Sequence, residues 1–329
     1  MTSTRIEAGP RSTADLEVIT MGRLGVDLYP LQDGVPLEQV TTFGKYLGGS
    51  AANVAVAAAR LGRCAGLVSG VGDDGFGRFL RAELARFGVA SGQVGTSTTA
   101  PTPITFCEIF PPDHFPITFY RDPIAPDQQI EPEELDLRAI RAADLFWTTL
   151  GGLAKEPARS AQLTALDARG RRAHTVIDLD YRATFWPDRE TAGEAARSAI
   201  ARSTIAVGNR EECEVAVGER DDEGAAAALL GLGVDLAIVK SGPDGVYART
   251  ATDEVRVPSH RVEVVNGLGA GDAFGGALCH GLLAGWDLER ILRYANAAGA
   301  IVAGRRECAE AMPTPAEVDA VLAGERVAR

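Results

Sequence analysis

From residue 16 onward, short β-branched runs alternate with longer amphipathic stretches, and this alternation restricts the chain to a mostly parallel sheet covered by helices. Strands are predicted at residues 16–21, 65–69, 144–150, 173–178, 204–208 and 236–240, and helices at 50–61, 76–87, 156–169 and 189–201. Towards the end the order changes: 246–249 and 254–257 read as a hairpin, followed by two buried helices rich in small residues at 271–284 and 288–304. Two segments, 27–46 and 103–121, break the pattern. Thr105, Cys107, Ile109, Ile117 and Phe119 alternate as strand residues do, yet no crossover helix follows. These segments predict a small separate sheet set into one large domain, in a position where such insertions act as lids. Residues 1–15 read as a disordered tail, 16–316 as the domain, and 317–329 as the end of a C-terminal helix and a tail.

Charge narrows the partners. With 33 Lys plus Arg against 45 Asp plus Glu, the net charge of −12 repels nucleic acid and anionic membranes at long range, while leaving room for a small anion held by a few local arginines. Five scattered cysteines without a Cys-x-x-Cys pair indicate neither a disulfide framework nor a zinc site, and fit a reducing cytoplasm. No apolar leader or run of 18 uncharged apolar residues is read in the chain, which predicts a cytoplasmic protein.

The 37 glycines cluster in three loops that compete for a phosphate-binding role. Gly70-Val71-Gly72-Asp73-Asp74-Gly75 fits Gly-x-Gly-x-x-Gly, but its two carboxylates would face the pyrophosphate, and no acid stands about 20 residues on to hold a ribose. Its aspartates instead suit a helix cap. Gly48-Gly49-Ser50-Ala51-Ala52-Asn53 opens a helix, with an asparagine amide one turn in that both donates and accepts, as a polyol requires. Asn266-Gly267-Leu268-Gly269-Ala270-Gly271-Asp272 runs into an apolar helix and offers nearly bare N–H groups at its start, an anion site. An aspartate inside that cradle would repel a phosphate unless it accepted a proton, and phosphoryl transfer supplies that role.

These loops, in this order with the Gly22…Asp27 element, make the chain similar to the ribokinase (PfkB) family of carbohydrate kinases. Asn209-Arg210-Glu211-Glu212 resembles the family's magnesium and phosphate element, and residues 239–245 its nucleotide loop. The resemblance implies a ribokinase-like three-layer α/β/α fold with a small β-sheet lid. It implies Asp272 as catalytic base, with Gly269, Ala270 and Gly271 as the anion hole; Asp27, Gly48, Gly49 and Asn53 at the substrate hydroxyls; Asn209 and Glu212 organising Mg²⁺ through water; and Asn209, Lys240, Ser241, Gly242, Gly245 and Asn296 at ATP. The family loop usually opens Asp-Thr, here Asn266-Gly267, which bears on the K⁺ that members often bind.

Further strings, at 22–30, 106–113 and 178–182, resemble a branch of the family that phosphorylates a keto-deoxy sugar acid. Arg121 and Arg182 are the arginines expected to hold its carboxylate, since a planar guanidinium matches that group. An isomeric keto acid or a neutral sugar such as fructose is the alternative acceptor, and a non-enzymatic sugar sensor the alternative class. A homodimer through the lid is the expected assembly.

Overall fold

A computed structural model describes residues 16–32 and 34–325, so the expected N-terminal tail lies outside the described residues. Nine strands form one sheet: β1 (Val18–Met21), β4 (Ala65–Gly72), β5 (Ala90–Ser97), β8 (Leu145–Thr149), β9 (Thr175–Asp178), β10 (Ile205–Asn209), β11 (Leu236–Lys240), β12 (Val246–Arg249) and β13 (Glu254–Val257). Their order is β13-β12-β11-β10-β9-β8-β1-β4-β5, parallel from β11 to β5 and antiparallel at the β12–β13 edge.

Period-two alternation sorts the strand residues between two cores. Val18, Leu145, Trp147 and Val176 enter the core beneath helices α1 (Ser50–Arg60), α2 (Gly75–Arg86), α8 (Ala270–Leu283), α9 (Leu288–Ala303) and α10 (Pro315–Leu322). Ile19, Met21, Phe146 and Ile177 enter the opposite core, under α3 (Leu137–Ala142), α4 (Ala158–Arg169), α5 (Arg189–Ile200), α6 (Arg210–Val217) and α7 (Asp222–Gly231). This is the three-layer architecture. The expected lid is a four-stranded sheet ordered β3-β2-β6-β7, made of β2 (Gly25–Pro30), β3 (Phe43–Gly48), β6 (Ile104–Cys107) and β7 (Ile117–Tyr120).

Four short helices and one strand escape the periodicity reading. β5 is an edge strand in which Val94 is the buried residue of a polar run, because an edge has only one neighbour to cover it. Helices α3, α6, α7 and α10 span 6 to 10 residues, too few for a clear 3.6 period. The boundary drawn after residue 316 falls inside α10, whose Val318 and Val321 belong to the core. Asp74 caps α2 by accepting from the Gly77 amide at 2.7 Å, so the dinucleotide-like loop is a helix start.

The small residues of α1 and α8 position the site. A Cβ on Gly276 would lie 2.2 Å from Cβ of Ala57, and one on Gly275 would lie 2.8 Å from the Trp147 ring, so the helices touch backbone to backbone. That approach brings the first turn of α8 against the first turn of α1. Larger residues there would force the helices apart at a cost of about 1–3 kcal/mol and displace whatever their first turns carry.

Candidate active site

The first turn of α8 stands between two cavities at the carboxyl edge of the parallel strands, where open α/β sheets bind ligands. Asp272 lies in that turn and faces the smaller cavity, while Ala270 and Gly271 line the larger. Gly269 precedes the helix at φ +82°, a left-handed conformation, and a Cβ there would sit 2.7 Å from the Cys308 sulfur. The first N–H groups of any helix lack a carbonyl one turn earlier, so these amides are available to a ligand.

The smaller cavity, of about 50 Å³, is polar and lined by Gly49, Ser50 and Asn53 from below and by Asp27, Thr105, Ile117 and Phe119 from the lid sheet. Asn53 Nδ2 donates to Asp272 Oδ2 at 2.8 Å, joining α1 to α8. Burial raises the Asp272 carboxyl to about 6, aided by the nearby charge of Asp180 and opposed by the Asn53 hydrogen bond. Burial likewise raises Asp27 to about 7, opposed by Arg23. Gly48 does not line the cavity; a Cβ there would lie 2.0 Å from Cγ of Asp27, so its role is to leave space for that carboxylate. Gly49 is held at φ +101° against the Arg23 backbone.

The loop after β9 carries the densest charge. Asp180 accepts from Ser50 Oγ at 2.7 Å and pairs with Arg182 at 2.8 Å and Arg23 at 3.0 Å. Burial pushes the Asp180 carboxyl up, but the two guanidinium groups outweigh it and hold it low. Asp178 goes the other way, raised chiefly by burial, with Lys240 Nζ at 3.7 Å as its cation. Arg23, Asp178, Asp180 and Ser50 were not assigned from sequence. The signal for the acids was available: Asp178-Leu179-Asp180 ends a strand on the ligand edge.

Arg182 lines this cavity as expected, whereas Arg121 does not. Arg121 Nη2 donates to both oxygens of the buried Asp127, at 3.0 and 2.8 Å, and its guanidinium lies 5.2 Å from the Phe185 ring in a neighbouring cavity. An internal carboxylate has already claimed it.

The larger cavity, of about 750 Å³, is mostly apolar and is lined by Lys240, Gly242, Gly245, Val246, Phe274 and Asn296 among others. Two positions expected there behave differently. Ser241 does not line it, because its buried hydroxyl donates to Asp222 Oδ1 at 2.7 Å. Asn296 lines it, but gives its Nδ2 to the Pro258 carbonyl at 2.9 Å. Asn209 and Glu212 line neither cavity, and form the capping box of α6: Asn209 Oδ1 accepts from the Glu212 amide at 3.0 Å and Glu212 Oε2 from the Asn209 amide at 2.6 Å. Pro112 and Asp113, at the tip of the β6–β7 hairpin, reach over this cavity, so the lid touches both sites.

Among the described residues no three acidic, histidine or cysteine side chains converge to chelate a metal. The acids near Lys240, namely Asp178, Asp180 and Glu212, instead suit a hydrated divalent cation held through water and by ligand phosphates, as Mg²⁺ is commonly bound.

The family model described as pfkB family carbohydrate kinase matches residues 15–315. A 5-dehydro-2-deoxygluconokinase of Bacillus subtilis is 32% identical over 311 residues, covering 93% of this chain and 95% of its own, and one from Geobacillus kaustophilus is 34% identical over 318 residues, covering 94% and 95%. Among solved structures, an aminoimidazole riboside kinase from Salmonella enterica, complexed with its riboside and an ATP analog, superposes at a TM-score of 0.78 with 28% identity, covering 93% of this chain and 99% of that one. A PfkB protein from Polaromonas superposes at 0.82 with 27% identity, covering 93% and 99%. The chain belongs to the pfkB family of carbohydrate kinases.

Proposed function

We propose that this chain transfers the γ-phosphoryl of ATP to the primary hydroxyl of 5-dehydro-2-deoxy-D-gluconate, a step of myo-inositol breakdown. The observation that carries the reading is the position of the α8 N-terminus, with its amides lining the large cavity and its aspartate the small one. ATP occupies the large cavity, which admits a nucleotide, with Lys240, Gly242 and Gly245 near its phosphates and Asn296 beside its base. An E. coli chain assigned as a ribokinase II, bound to ATP and Mg²⁺, superposes at a TM-score of 0.86 with 26% identity, which supports this placement. The acceptor lies in the small cavity, its hydroxyls at Asp27, Gly49 and Asn53 and its carboxylate at Arg182.

Asp272 accepts the hydroxyl proton. Its carboxyl, raised to about 6, is ionised at neutral pH yet basic enough to take the proton as the new bond forms. The amides of Gly269, Ala270 and Gly271 face the charge that develops on the transferred group, where preorganised donors act most strongly. Asp178 and Glu212 would hold a hydrated Mg²⁺, which would supply positive charge to the phosphates. The lid excludes water, which suppresses hydrolysis of ATP. A monovalent cation is not placed on Asn266: its Oδ1 already accepts from the Leu268 amide at 3.0 Å and its Nδ2 donates to the Arg306 carbonyl at 2.6 Å. The exposed Tyr120, ranged with Phe43 and Phe106 on the lid, supports pairing of lids in a homodimer. The five thiols, four of them buried and scattered through the fold, support a reducing, cytoplasmic setting.

The test is ATP-dependent ADP release with Mg²⁺, comparing 5-dehydro-2-deoxygluconate, 2-dehydro-3-deoxygluconate, fructose and ribose. Strong preference for the first is expected. Preference for the second would discard the inositol assignment, preference for a neutral sugar would discard the acid acceptor, and silence with all four would make the chain a sensor.

A further inference from the structure

We propose that Arg23 sets the preference of this site for an acidic acceptor, with Asp180 acting as the spacer that holds it against Arg182. The inference rests on the acceptor reading above and adds a residue that neither the motifs nor the relatives' names assign.

Arg23 leaves β1 at the turn into the lid and is only 7% exposed. Its guanidinium lies 5.5 Å from the ring of Phe119 on lid strand β7 and 5.5 Å from the ring of Phe185. Those two rings lie 4.8 Å apart at their centroids, so together they back the guanidinium from one side. Nη2 donates to Asp180 Oδ2 at 3.0 Å and to Ser50 Oγ at 3.1 Å. Arg182 Nη2 meets the other oxygen, Asp180 Oδ1, at 2.8 Å.

Asp180 thus takes a contact from each of two cations, and Asp27 and Asp272 add their charge beside them. Asp272 accepts from Asn53, and Asp27 from the Tyr29 hydroxyl at 3.4 Å. A buried N–H left without an acceptor is costly, and a ligand oxygen that accepts from it removes that cost. Arg23 Nε and Arg182 Nε are both buried with no hydrogen-bond partner. Both arginines line the cavity that holds Asp272. A carboxylate on the acceptor supplies oxygens to these two N–H groups, and because Phe119 belongs to the lid, closing the lid completes the site.

The experiment compares kcat/KM for 5-dehydro-2-deoxygluconate with kcat/KM for D-fructose in the wild-type chain, Arg23→Gln, Arg23→Lys and the double variant Arg23→Gln/Asp180→Asn. Loss of one charge-assisted contact predicts that Arg23→Gln lowers kcat/KM for the acid about 10- to 100-fold, mostly through KM, while the value for fructose stays level or rises. Arg23→Lys, which keeps the charge but not the planar fork, should fall between. The double variant removes the ion pair as a unit, so it reports the same loss of acid preference should the single variant fail to fold. An acid-to-fructose ratio unchanged in Arg23→Gln, or an equal fall with both acceptors, overturns the assignment and leaves Arg23 a structural pin. A wild-type chain that prefers fructose overturns the acceptor reading itself, and this assignment with it.

Discussion

The two cavities that flank the α8 N-terminus are built from opposite materials. The large one is walled mainly by apolar and glycine residues, so a highly charged ligand there is met by backbone amides and a few cations such as Lys240 and Arg261. The small one packs Asp27, Asp272, Arg23 and Arg182 around a space of about 50 Å³. The difference follows from what each ligand brings. A nucleotide carries its own charge and cation, so its site needs shape and N–H groups. A sugar acid carries one charge and several hydroxyls, so its site must supply countercharge and directed hydrogen bonds, and it stores the desolvation cost as displaced carboxyl pKa values.

The largest test of this contrast is Asp272→Asn. Removing the base should lower kcat by about 10²–10⁴-fold, while ATP affinity measured by calorimetry stays near that of the wild type. The same variant should melt at a higher temperature at neutral pH, because it deletes a buried charge that the fold disfavours. Loss of ATP binding in equal measure would show that the two cavities are not separable.

A pair of glycines sharpens the comparison next. Gly269→Ala meets both a left-handed φ and the Cys308 sulfur, so it should cost about 1–3 kcal/mol and cut turnover by more than about tenfold. Gly242 also has a positive φ, +55°, but nothing lies within 4 Å of its added Cβ, so Gly242→Ala should cost about 1 kcal/mol and alter the KM for ATP only slightly. Equal effects in both would mean that crowding at Cys308 does not define the anion loop.

The pH dependence comes third. Asp272 must be ionised to accept a proton, so kcat/KM should fall about tenfold per pH unit once the pH drops below about 6. Stability should run the other way for this group. Its folded pKa lies above the ordinary carboxylate value, so the native state binds more protons between pH 4 and 6, and this contribution grows as the pH falls through that window. The Asp272→Asn variant should lose both dependences. An acid limb that survives in its residual activity would assign the titration to Asp27.

The smallest expected effect on catalysis separates two arginines. Arg182→Ala should raise the KM for the sugar acid about tenfold, as a half-exposed contact allows. Arg121→Ala should leave that KM nearly unchanged but lower the melting temperature, because it strands the buried Asp127 without its cation. The reverse pattern would restore Arg121 to the acceptor.

The chain's alternation, its lid segments and its three glycine loops were legible in order along the sequence, because each depends on local period or on local backbone freedom. The short capped helices were not, since Asn209 and Glu212 read equally well as a metal element and as a capping box. Nor were partners: Arg121 and Arg182 look alike in sequence, and only the fold shows that Asp127 occupies one and Asp180 the other. Gly48 was readable as a glycine that makes room for a ligand; its neighbour is Asp27 from the paired strand.

By itself, then, the sequence determined the layered fold and the family, because both are written in contiguous residues. The tertiary structure alone decided which charges meet. Arg23, Ser50 and Asp180 lie up to 157 positions apart, and a contact across that separation leaves no local period or spacing to read. It exists because α1, the β9 loop and the lid are packed on one edge of one sheet.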